Sequence, residues 1–184
     1  MQLNKIMMAA VLSLSAVSVA HANQGQGDIL FTGSIVDAPC SIAADSIDQT
    51  VELGAISNAA LSANTNTGES KPMPFTIQLE NCIVTTGTTP ASASKVQVKF
   101  LGTTSSYDAD SLALVGGNAA GAYILLKQAD GKKVTVGTPT TLQQFTDGAS
   151  PALTFTASLK GNGGTAVITP GSFSVPVQFQ LAYQ

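Results

Sequence analysis

Apolar residues recur along this chain at every second position. Ile29, Phe31 and Ile35 form one such run, and Phe75, Ile77 and Leu79 form another that ends at Cys82. Val96, Val98 and Phe100 alternate with Gln97 and Lys99, and Val134 and Val136 flank Thr135. Leu153, Phe155 and Ala157 alternate with Thr154, Thr156 and Ser158. Successive side chains of a strand point to opposite faces, so each run predicts one face on a core and one in water. No stretch after the N-terminal leader sustains an apolar 3.6-residue period. Turn chemistry separates the runs: Asp130-Gly131 predicts a hairpin between residues 123–128 and 132–136, and Asp147-Gly148 and Asn162-Gly163-Gly164 punctuate the later strands. Residues 57–71, rich in Ala, Asn, Ser and Thr, read as a loop or a short frayed helix, and residues 85–94 as a polar loop. Several short strands at this spacing predict a single all-β sandwich domain.

The first residues predict something other than structure. Lys5 precedes an apolar stretch over residues 6–20, and Ala20-His21-Ala22 has the small-x-small pattern of a signal-peptide cleavage site. The stretch is short for a bilayer span, and polar residues 23–27 come directly after it. Cleavage after Ala22 leaves 162 residues, enough for one domain with a core. It also removes the only histidine, His21. Seven lysines then face eleven acids, a net charge of −4, with no arginine. Such a chain has no electrostatic reason to bind nucleic acid.

Export places Cys40 and Cys82 where disulfides persist, and two cysteines allow one intrachain bridge. Free thiols or an intermolecular bond are the alternatives. No nucleophile–histidine pair can form without histidine, and two bridged cysteines leave zinc or copper without its usual ligands. Asp108 and Asp110 read as a solvated turn in preference to a calcium site, because no third carboxylate is near in sequence. Lys132-Lys133 reads as a solvated strand start. The expectation is no enzyme, no cofactor and no metal.

The two ends of the chain resemble each other. Gly25, Gly27, Ile29, Phe31, Gly33 and Ile35 share one face of the N-terminal run. The longest alternating run is C-terminal: Phe173, Val175, Val177, Phe179, Leu181 and Tyr183, with Gly171 just before it. Both could be ordinary strands of a complete sandwich, the polar leader being frayed. Against that, glycines on an apolar face leave gaps in a self-contained core. A strand behind a loose polar leader is also free to pair with the edge of another sheet.

Here the chain resembles the chaperone–usher pilins, specifically the major-subunit type of P-like and type 1-like fimbriae. The carriers are Gly25-Gln26-Gly27, Phe31 through Val36 into Asp37-Ala38-Pro39-Cys40, Val51-Glu52-Leu53-Gly54, and Phe75 through Asn81-Cys82. Gly171, fourteenth from the end, and the penultimate Tyr183 complete the set. The resemblance covers essentially all of the chain after the leader. It implies an incomplete immunoglobulin-like β-sandwich lacking its last strand, completed by donor-strand exchange. It divides the chain into a signal peptide (1–22), a donor-strand extension (23–36) and a pilin domain (37–184). It further implies that Ile29 and Phe31 plug groove pockets on a neighbouring subunit while Gly27, or Gly25 on the same face, passes a constricted one. Residues 173–183 would form the receiving strand, and a Cys40–Cys82 bridge would pin the first strand to the second. The implied partners are neighbouring fimbrial subunits, a periplasmic pilus chaperone and the outer-membrane usher, with export through the periplasm to a fimbrium on the cell surface. Pro176 departs from an ideal receiving strand, because proline cannot donate to a ladder. A minor or adaptor subunit, or a single-domain adhesin binding a host glycan, is the competing reading.

Overall fold

The computed structural model describes residues 27–84 and 94–184. The predicted signal segment, Gly25 and most of the predicted 85–94 loop lie outside them. The chain divides into two units, one ending at Val36 and the other spanning Asp37–Gln184. Residues 27–36 form no helix or strand, and Ile29, Leu30, Phe31 and Ile35 are exposed. Their alternation supplies a face but no ladder partner, and a strand exists only as part of a ladder.

The second unit is an all-β domain. Its strands are β1 (Ser41–Ile42), β2 (Met73–Glu80), β3 (Lys95–Leu101), β4 (Leu112–Ala113), β5 (Ala122–Gln128), β6 (Gln143–Gln144), β7 (Ala152–Gly161) and β8 (Gln178–Tyr183). Two short helices, α1 (Ala44–Ile47) and α2 (Asn58–Asn66), interrupt the N-terminal third. One sheet has the order β1-β2-β7-β5-β4 and the other β6-β3-β8, with antiparallel pairing at each named ladder.

The strands form where alternation predicts them. Ile77, Leu79, Val96, Val98, Phe100, Leu153 and Phe155 are all buried. Phe75 of β2, Phe155 of β7 and Phe100 of β3 join the two sheets. Phe100 meets Phe155 edge-on at 4.9 Å and Phe75 at 6.0 Å, within the range where such pairs attract beyond their buried area. The Asp130-Gly131 turn closes as expected: Gly131 sits at φ +82°, and Val134 N–H donates to Leu126 at 2.9 Å. α2 is the frayed helix expected within residues 57–71, and it breaks at Ala63–Thr65, where Asn64 and Thr65 take left-handed backbone.

Two expectations are corrected. The C-terminal run is a ladder strand only over Gln178–Tyr183; residues 173–177 keep its in–out alternation without a continuous ladder. The cause is a change of neighbour. Ser172 and Ser174 bond to Ala119 and Val115, Gln178 pairs with Leu101 of β3, and Pro176 spans the crossing. Second, Lys133 is not simply solvated. Its ammonium lies 2.6 Å from Asp108 and 3.2 Å from Asp110, so the reading of those carboxylates as a merely solvated turn is too weak.

Candidate functional site

The domain's main feature is an apolar groove left open in its core. One wall is the segment after α1. There Val51 and Leu53 turn inward around exposed Glu52, until Gly54 at φ +74° redirects the chain and Ile56 resumes the wall. The other wall is the C-terminal run. Phe173, Val175, Phe179, Leu181 and Tyr183 are half-buried, and Val177 is exposed.

Two compartments lie between the walls. The larger, about 350 Å³, lies between Ser46, Gln49, Val51 and Leu53 on one side and Val175, Val177 and Phe179 on the other. Its floor is Phe75, Ile77, Phe100, Leu112, Ile124, Leu126 and Ala157. The smaller, about 270 Å³, lies between Ile56 and Phe173, over Leu61, Leu114, Ala120, Ala122, Leu159 and Ile168. An apolar cavity of about 150 Å³ already holds a benzene ring. Each compartment therefore has room for at least one large side chain. Gly171 and Gly117 let the C-terminal segment pass close to its neighbour: a Cβ on Gly171 would collide with Asn118, and one on Gly117 with the Ser172 carbonyl.

Backbone parity decides what the groove can accept. Gln184 and Lys95 exchange both N–H···O bonds, so by alternation Ala182, Gln180 and Gln178 also bond toward β3. Ser172 and Ser174 bond inward likewise. The N–H and C=O groups of Phe173, Val175, Val177, Phe179, Leu181 and Tyr183 therefore face the open side. β8 is the last strand of its sheet there. Pro176 has the inward parity, so its missing N–H costs the open edge nothing. A proline inside the receiving strand is thereby compatible with strand capture.

Cys40 and Cys82 form the bridge. It holds the start of the domain against the end of β2, beside the Ser41–Glu80 pairing. Of the N-terminal site residues, Gly27, Ile29 and Phe31 are described and exposed. Among the described residues, nothing lies within 4 Å of a Cβ built on Gly27 or Gly33. Leu112, Ile124 and Leu126 contribute groove floor that sequence reasoning missed, beside Phe100, which alternation places on the core. The continuous apolar run 123–126 is the sequence signal for Ile124 and Leu126.

Glu69, Asp108 and Lys133 line neither compartment of the groove, whereas Tyr183 stands on its wall. Burial would raise the Glu69 carboxyl, but hydrogen bonds from Lys127 and Ser158 hold it below its usual range. Asp108 is likewise held low against its burial by Lys133 and Ser111, and Lys133 is raised in return. Burial pushes the Tyr183 phenol up as it packs edge-on against Phe145 at 6.2 Å. Among the described residues, no group of three or more His, Cys, Asp or Glu is placed to hold a metal. The arrangement offers an apolar slot beside a bare strand edge, which is the chemistry of strand capture.

The sequence model of the family described as "Fimbrial protein" matches residues 29–184. Fimbria A protein of Serratia marcescens is 44% identical over 185 residues, covering all of both chains. Major MR/P fimbria protein of Proteus mirabilis is 39% identical over 186 residues, again covering both completely. Among solved structures, a chaperone–usher pilus subunit superposes with a TM-score of 0.75 at 36% identity, covering 88% of this chain and 97% of that one. A P pilus rod subunit gives 0.68 at 34% identity, covering 80% and 100%. The chain belongs to the fimbrial protein family and is a structural, non-enzymatic subunit of a surface fimbrium.

Proposed function

We propose that this chain is a major, rod-forming subunit that polymerises by donor-strand exchange. Residues 23–36 of one copy enter the groove between residues 51–56 and 171–183 of the next. The observation that carries this reading is the open groove, with its apolar floor and the unpaired edge of residues 173–183. A soluble monomer rarely leaves so large an apolar surface exposed without a partner for it. The segment that fits is the chain's own N-terminal run, whose Ile29 and Phe31 are 78% and 88% exposed.

Among the described residues, nothing around Gly27 demands a glycine there. Close passage through a neighbour's groove supplies a reason, since glycine lets a backbone approach where a side chain would not fit. Ladder bonds to the odd-numbered edge would add to the burial. The names of the major fimbria protein and the rod subunit among its relatives support the rod role over a minor or adaptor role.

On this reading residues 1–22 direct export and are removed. A periplasmic chaperone fills the groove first, and the outer-membrane usher is where the next subunit's extension replaces it. Residues 37–184 form the receiving domain. Deleting residues 23–33 tests the reading. The truncated subunit should still bind the chaperone and end a fibre, but should not extend one. Fibres of normal length from the truncated chain would disprove the donor role.

A further inference from the structure

The receiving edge is not the only edge at which a strand could dock. β2 is flanked by β1 only over its last two residues, Leu79 and Glu80. From Met73 to Gln78 its outer side has no strand beside it among the described residues. Leu79 N–H donates to Pro151, so the odd residues of β2 bond toward β7 and the even residues point outward. Exposed backbone of this kind is a template for another chain.

Three of the outward groups are nevertheless engaged. Gln78 C=O accepts from Ala43 N–H at 3.0 Å, and Gln78 N–H donates to the Ser46 hydroxyl at 3.0 Å. Thr76 C=O accepts from the Gln49 amide at 2.7 Å. The next outward position is Pro74, which has no N–H to offer. Ser46 is 3% exposed, a buried polar side chain whose described bond is this one. α1 is held over the edge because the Cys40–Cys82 bridge and the Ser41–Glu80 pairing fix the chain just before it. Pro74 and Pro176 thus take opposite parities. Pro176 removes an inward donor and spares the receiving edge; Pro74 removes an outward donor and spoils the competing one.

We infer that Ser46, Gln49 and Pro74 seal the outer edge of β2 and so restrict the incoming strand of a second copy to the C-terminal edge. They are specificity-determining residues for assembly. The inference rests on the donor-strand reading of the groove. An unsealed subunit has two acceptor edges, and growth from both branches or bundles the fibre.

The test refolds the exported chain with an excess of a synthetic peptide of residues 25–36 and counts peptides per subunit by native mass spectrometry. Wild type should hold one. The triple variant Ser46→Ala, Gln49→Ala, Pro74→Thr should hold two, and its fibres should branch or bundle by electron microscopy. One peptide on wild type and one on the variant, with straight fibres from both, overturns this inference alone. No peptide on wild type overturns the donor-strand reading and this inference with it. Should the triple variant not fold, Ser46→Ala alone must speed amide exchange at Gln78 at least tenfold, with excess peptide restoring the protection. Unchanged exchange at Gln78, or no restoration, overturns the seal.

Discussion

Phe31→Ala removes the largest side chain of the proposed donor strand, and its cost can be worked out. Phe31 is 88% exposed in the free chain, so nearly all of its apolar surface is available for transfer. Burying a phenylalanine in an apolar site is worth about 2–3 kcal/mol. Losing that weakens binding roughly 30- to 140-fold, at about 1.4 kcal/mol per decade. The 350 Å³ compartment does not shrink to fit alanine, since its floor is built from residues of the β2, β3, β5 and β7 ladders. Little of the loss should therefore be recovered by collapse. Asp28 has the opposite parity and faces away from the groove in the same register. Asp28→Ala should stay within about 0.5 kcal/mol, or roughly twofold. The assay is competition between labelled wild-type peptide 23–36 and each variant peptide on the subunit, with thermal stabilisation by excess peptide as a second readout. Equal weakening by the two substitutions would refute the facing of the strand. Unchanged affinity with Phe31→Ala would refute the role of the groove.

Three other perturbations probe the groove wall, the bridge and the paired carboxylates. Val175→Asp places a carboxylate on the groove wall and should abolish peptide binding while circular dichroism still reports a folded domain; binding within threefold of wild type would show that the wall is not used. Removing the bridge with Cys40→Ser and Cys82→Ser, 42 residues apart, should cost about 4 kcal/mol on the chain-entropy estimate, read as a lower urea midpoint with a steeper slope, because the unbridged denatured chain exposes more surface. The depressed Glu69 and Asp108 carboxyls stabilise the fold fully above their unfolded values of 4.5 and 3.8, and that stability is lost as pH falls through their lower folded values. With no histidine after residue 21, urea midpoints should be flat from pH 8 to pH 5 and drop below about pH 4, a drop that Asp108→Asn should blunt.

Much of the fold is legible because alternation reports burial directly. Ile77, Val98 and Phe155 are buried for the reason their spacing suggests, and the Asp130-Gly131 turn closes where its residues favour it. What alternation does not report is the identity of the neighbour. Residues 173–183 read as one uniform strand, yet the segment changes partners at Pro176, a long-range fact no local period encodes. The ion pair of Lys133 is hidden for the same reason, since Asp108 lies 25 residues away in sequence and beside it in space. The C-terminal groove wall is readable from its alternation, but the wall at residues 51–56 and the floor are not. Leu112, Ile124 and Leu126 look like any core residues until the strand that should cover them is found missing.

Amide hydrogen exchange along the C-terminal strand tests strand capture most directly. In the isolated subunit, the amides of Val175, Val177, Phe179, Leu181 and Tyr183 should exchange rapidly, while those of Gln178, Gln180 and Ala182, bonded to β3, are protected. In the assembled fibre both sets should be protected. Odd-numbered amides already slow in the isolated subunit, or still fast in the fibre, would contradict it.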